Sequence, residues 1–192
     1  ATIISEMYLE SGIRPSKEIA GILCAAMISD TLLFRSPTTT DTDRRILDRM
    51  SKIADINPEE FADKMFRAAT SLKGKSASDL VEGDVKTFNI AGEDFRVGQV
   101  MTMNPEELLP IMDELKDLMD KKIKSKNEST FVLVLTDIFN ERSELLVVGE
   151  HFDSIKEEFG EITDKGTINA PGVLSRKKQV IPRITAAVMT DK

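Results

Sequence analysis

The chain has 192 residues, 41% of them hydrophobic and 31% charged, a composition that suits one large or two small globular domains. Its 26 basic and 33 acidic residues leave a net charge of −7, which argues against non-specific binding to nucleic acid or to an anionic membrane. The single cysteine, Cys24, excludes a disulfide framework within the chain and fits a reducing compartment such as the cytoplasm.

Thr2 to Ser11 reads as an amphipathic helix with Ile3, Ile4, Met7 and Tyr8 on one stripe. Ala1 opens directly into this pattern without an initiator methionine or a secretory signal, and the reading expects a fragment or processed product. Ser16 marks the start of a second helix, expected from Lys17 to about Phe34, apolar nearly all round and therefore buried on several sides. Within it the longest uncharged apolar stretch, Ala20 to Ile28, is too short for the roughly 20 residues of a membrane helix. Thr40 and Asp43 form a capping box for a helix through Ile53. Asn57-Pro58-Glu59-Glu60 starts another helix, with Asn as cap, Pro in the first position and acids in the first turn. The same tetrapeptide recurs as Asn104-Pro105-Glu106-Glu107, ahead of a longer helix carrying Leu108, Ile111, Leu115, Leu118 and Ile123.

Residues 70–77, small and polar, are the expected linker between an all-helical 1–69 and a β-rich 78–192. Strands are expected at Val85 to Ile90 and Phe95 to Met101, joined by a turn at Ala91-Gly92-Glu93, then at Phe131 to Leu135 and Glu144 to Val148. The run Phe-Val-Leu-Val-Leu suits a strand covered on both faces. A short helix from about Ser154 to Phe159 and a last helix after Pro182 complete the pattern.

Four places invite chemistry. Asp30 ends an otherwise apolar helix, where an ionised carboxylate needs a partner: Arg35 or backbone donors on one reading, a hard cation on the other. Ser175-Arg176-Lys177-Lys178-Gln179 is the densest basic run in an acidic protein. It is either a solvated surface or, given its apolar flanks, a cleft near the core where phosphate oxygens meet a guanidinium fork and ammonium donors. Lys86 shares a strand face with Phe88 and Ile90, so it either snorkels to water or reaches into a site. Asp41 and Asp43 space like a metal pair but sit where helix dipoles favour acids anyway. His151, the only histidine, is expected in a loop, and Cys24, Met112 and Met119 in the core.

Ile28-Ser29-Asp30-Thr31-Leu32-Leu33-Phe34-Arg35-Ser36-Pro37-Thr38, Asp84-Val85-Lys86-Thr87-Phe88 and Ser175-Arg176-Lys177-Lys178-Gln179-Val180-Ile181-Pro182 together resemble segments of the family II inorganic pyrophosphatases, members of the DHH phosphoesterase superfamily. The resemblance implies an α/β chain. Residues 1–69 would be the helical tail of an N-terminal DHH metal domain, and 78–192 a C-terminal domain with a mixed β-sheet flanked by helices. It implies hydrolysis of pyrophosphate to two phosphates by a two-metal mechanism with Mn2+ or Co2+ (Mg2+ as a third candidate). It makes Asp30 a metal ligand and Lys86, Arg176 and Lys177 the catalytic cations that bind substrate, with Lys178 a lesser substrate contact. The family's upstream His and Asp ligands have no counterpart here, so this chain alone is expected to hold no metal stably and to be inactive. A homodimer is implied for the intact protein. The alternatives are another DHH phosphoesterase, such as an exopolyphosphatase, or a stand-alone phosphate-binding module.

Overall fold

The structure, a computed structural model, describes residues 1–190. It divides into two compact units, Ala1–Ala69 and Thr70–Lys192.

The first unit contains helices α1 (Thr2–Glu10), α2 (Lys17–Thr31), α3 (Asp41–Ala54) and α4 (Pro58–Ala69). Its core joins Ala20, Leu23, Cys24, Met27 and Ile28 of α2 to Ile46, Leu47 and Met50 of α3 and Ala62 and Phe66 of α4. The caps are those the sequence announces. Ser16 accepts a hydrogen bond from the Ile19 amide, Thr40 and Asp43 close a full capping box, and Asn57 accepts from the amides of Glu59 and Glu60. Two expectations fail. The stripe on α1 faces out, with Ile3 73% exposed, while Ser5 is the buried residue. And α2 is not buried all round, since Ile22 is 65% exposed.

Helix α2 also stops three residues early. Leu32, Leu33 and Phe34 all take left-handed backbone angles, with φ of 50°, 48° and 69°. Each such residue costs about 1–2 kcal/mol because its Cβ crowds the backbone. The turn is held by Leu33 N donating to Ile28 O, Ser36 N donating to Thr31 O, and Phe34 N donating to the Thr31 hydroxyl.

The second unit is built on a five-stranded sheet in the order β1 (Val85–Ile90), β2 (Glu93–Thr102), β3 (Thr130–Asp137), β4 (Arg142–Gly149), β5 (Ile168–Pro171). Strands β2 and β3 run parallel and the other neighbours antiparallel. The mixed sheet flanked by helices is therefore the observed fold. Helices α5 (Ala77–Glu82) and α6 (Met112–Lys126) cover one face, where Leu80, Leu115 and Met119 meet Phe131, Leu133 and Leu146. Helices α7 (Phe152–Phe159) and α8 (Ile181–Thr190) cover the other, where Ile155, Ile184 and Val188 meet Val97, Val132, Val134 and Leu145. Lying between both layers, β3 is buried at every position, the reason its sequence is an unbroken apolar run.

Several details depart from the sequence reading. The segment 70–77 packs into this unit: Leu72 and Ala77 belong to its core, and Ser76 and Asp79 cap α5, which the sequence reading lacks. Strand β5 was also not foreseen, being only four residues long. The second Asn-Pro-Glu-Glu does not repeat the first. Pro105–Ile111 forms a 3-10 helix without a side-chain cap from Asn104, and α6 begins after it. Pro110 lies inside this stretch, where its ring and missing N–H oppose a regular α-helix. His151, by contrast, lies as expected in the turn between β4 and α7, with its Nε2 2.7 Å from a Glu93 carboxylate oxygen and its ring 5.0 Å from that of Phe95.

Candidate functional site

Strand β5 runs into a short loop, 172–175, and then into a π-turn, Arg176–Val180, that leads directly into α8. Amides of both Gln179 and Val180 donate to Ser175 O. Such wide turns are rare, and they cluster at functional sites.

The loop is fastened to the sheet by a polar row. Gln99 Nε2 donates to Leu174 O (3.1 Å) and to the Thr136 hydroxyl (2.9 Å). Ser143 Oγ donates to Val173 O (2.7 Å) and lies 2.9 Å from Thr136 Oγ1. Both hydroxyls are fully buried, so these bonds answer a need that water cannot meet. From the other side Gln179 grips the same loop. Its Oε1 accepts from the amides of Leu174 and Ser175, each at 2.9 Å, and its Nε2 donates to Gly172 O at 2.8 Å. Ser175 Oγ accepts from the Lys178 amide (3.2 Å).

This frame sets Arg176. Its side chain is 9% exposed and crosses to the β1–β2 edge. Nη1 donates to Asp84 O (2.6 Å) and Val97 O (3.2 Å), and Nη2 donates to Asp84 Oδ1 (2.8 Å). A guanidinium carries five N–H donors. Three are committed here, which leaves Nε–H and one Nη2–H. Among the described residues neither of these two takes a protein acceptor. These two donors are the lateral edge of the plane, the geometry that takes two oxygens of one phosphate.

Lys86 stands nearby. Its register partner is Val97, the residue whose carbonyl Arg176 holds. Its strand neighbours Phe88 and Ile90 pack on the α7–α8 face, so Lys86 projects to the same side, as its sequence position implies. Lys86, Lys177 and Lys178 are all exposed, and among the described residues none makes a side-chain hydrogen bond or ion pair. The fold thus brings Arg176 and Lys86 to one place on the β1–β2 edge, with Lys177 next along the turn.

Asp30 lies in the first unit, in the last turn of α2 just before the left-handed turn, and is exposed. Neither the burial nor the Arg35 or backbone partner considered from the sequence is found: among the described residues its carboxylate makes no hydrogen bond or ion pair. Among the described residues no group of three or more His, Cys, Asp or Glu side chains is placed to hold a metal ion. Asp30 offers one carboxylate where a two-metal centre needs many ligands, so the residues present do not by themselves fit that centre. Asp43 does structural work, accepting from the Thr40 amide and from the hydroxyls of Thr2 and Thr40, and Asp41 lies beside it in the first turn of α3.

Asp84, Gln99, Thr136, Ser143 and Gln179 gained no role from the sequence. Only Asp84 carried a usable signal, an acid two residues before Lys86 on the same side of an extended segment. Gln99, Thr136 and Ser143 act across strand pairings that no local pattern reveals, while Gln179 closes its own loop from four to seven residues away.

The family model for the DHHA2 domain matches residues 63–187, well over half the chain. This chain belongs to the DHHA2 domain family. The DHHA2 chain is 46% identical over 188 residues to a protein of Clostridium acetobutylicum named as a manganese-dependent inorganic pyrophosphatase, covering 98% of this chain and 61% of that one. It is also 46% identical over 190 residues to a cobalt-dependent inorganic pyrophosphatase of Clostridium perfringens, covering 99% of this chain and 35% of that one. Among solved structures it resembles a Methanococcus jannaschii protein assigned to the family II inorganic pyrophosphatases. The TM-score is 0.80 at 32% identity, over 97% of this chain and 63% of that one. The DHHA2 chain therefore spans less than two thirds of each of these relatives.

Proposed function

We propose that this chain supplies the anion-gripping part of an enzyme that hydrolyses inorganic pyrophosphate to two phosphates with manganese or cobalt. Residues 1–69 are then the closing helices of a metal-binding domain with Asp30 as one metal ligand, and 78–192 the substrate domain. The observation that carries the reading is the open lateral edge of Arg176, held in place beside Lys86 in a protein of net charge −7. A guanidinium fork fixes the orientation of one phosphoryl group. The ammonium groups of Lys86 and Lys177, with Lys178 in a lesser part, neutralise charge on the remaining oxygens. The names of the relatives, all pyrophosphatases, support pyrophosphate as the anion. When bound, the metal ions supply the activated nucleophile; no step through them follows from the residues of this chain. The same reading gives a cytoplasmic homodimer as the whole protein, without a nucleic-acid partner.

Calorimetric titration of the chain with pyrophosphate, without metal, tests the grip. Binding that weakens by about 1.5–3 kcal/mol in Arg176→Ala is the expected result, the worth of hydrogen bonds to a charged group. Equal binding by the variant removes Arg176 from the site.

A further inference from the structure

Three acceptors hold the Arg176 guanidinium, and Asp84 provides two of them, its backbone carbonyl and its carboxylate. We infer that Asp84 is a positioning residue: it clamps the terminal edge of Arg176 so that the lateral edge is presented ready-made to a phosphoryl group. The inference rests on the pyrophosphate reading and names the residue on which that site depends.

The alternative role for an acid beside a substrate arginine is rivalry, in which it occupies the donors that the anion needs. The geometry argues against rivalry. Asp84 engages Nη1 and Nη2 together, while Val97 O takes the other Nη1 hydrogen, so the competing donors are spent on the far side of the plane. Fixing three N–H groups of a rigid plane fixes both its tilt and its roll. An arginine otherwise loses rotamer freedom when it binds an anion, and here that ordering is complete before the anion arrives. Burial suits the same purpose. The arginine is 9% exposed and its carboxylate partner 60%, so Asp84 sits at the rim, where water screens its charge from the anion site.

Pyrophosphate affinity measured by calorimetry on the full chain separates the two roles. Asp84→Ala should weaken binding about tenfold, and Asp84→Asn should recover most of that loss, because an amide oxygen accepts the same Nη2 hydrogen. On an Arg176→Ala background Asp84→Ala should cause no further loss, since its effect passes through the arginine. The ligand-free Arg176 side chain gives a second readout by NMR. Its Nη2 hydrogens should be resolved by hindered rotation in the wild type and in Asp84→Asn, and averaged in Asp84→Ala, where only backbone acceptors remain and both hold Nη1, with melting curves confirming that each variant is folded. Tighter binding in Asp84→Ala, an equal loss on the Arg176→Ala background, or unchanged Nη signals overturns the inference. A wild-type chain that ignores pyrophosphate while its Nη signals still depend on Asp84 sinks the substrate reading and leaves the clamp standing.

Discussion

Arg176 and Lys86 show how one chemical type serves two ways. The guanidinium is buried and spends three donors on structure, whereas the ammonium is exposed and unpaired among the described residues. Arg176→Lys is therefore not conservative. A lysine has no planar fork to share between the β1–β2 edge and an anion, and pyrophosphate binding should fall nearly as far as in Arg176→Ala, read by the same titration. Cys24 illustrates the opposite case, a reactive group made inert. It is fully buried, and burial pushes its thiol up from 9.0 to about 11. At pH 8 a thiol reagent should label it only after unfolding. Below about pH 9 both folded and unfolded chains hold this proton, so it adds no pH dependence. Between pH 9 and 11 the unfolded thiol ionises first, and stability should fall. Urea unfolding at stepped pH, with Cys24→Ala as the control that lacks this slope, checks it.

Short helices and loops in this protein are secured by a few side chains each. Helix α5 has six residues and depends on its capping box, in which Ser76 and Asp79 exchange hydrogen bonds of 2.7–3.2 Å. Ser76→Ala should cost about 0.5–2 kcal/mol in urea unfolding. The hydroxyl and amide of Ser76 hold the Asp79 carboxyl below its ordinary range, so this contribution is present above that range and is lost as pH falls through the lowered value. Gln179 has a comparable hold on the loop 172–175. Gln179→Ala leaves the amides of Leu174 and Ser175 without their acceptor, at about 1–3 kcal/mol for each that water cannot reach. Because the loop carries Arg176, its pyrophosphate affinity should drop as well, which separates this variant from Ser76→Ala. The Thr40–Asp43 capping box and the starts of α2 and α4 were legible because they are local, whereas the Ser76–Asp79 box and its short helix were missed. The 3-10 turn at Pro105–Ile111 was not, because the cap signal of Asn104 pointed one way and Pro110 the other.

The two units each close a core of their own, helical in 1–69 and around the sheet in 70–192. The segment 70–192 made alone should fold cooperatively, shown by a single sigmoidal urea transition and dispersed amide resonances. It should keep whatever pyrophosphate affinity resides in Arg176, Lys86 and Lys177, while manganese-dependent phosphate release by the full 192-residue chain should be little or none. Turnover comparable to an intact pyrophosphatase would overturn the division of labour proposed here.

At this scale the pattern of residues determined much by itself. The alternation of β1 put Lys86 with Phe88 and Ile90, the apolar run of β3 implied a strand between two layers, and the basic run between apolar flanks singled out the segment that holds the buried Arg176. These are properties of neighbours along the chain, with periods of two or a few residues. Tertiary structure alone decided what each charge does. Asp84 and Arg176 are 92 positions apart, Gln99 and Leu174 are 75, and the short β5 exists only through its partner β4. Hydrogen bonds across such distances depend on strand order and register, so they appear only once the sheet has formed.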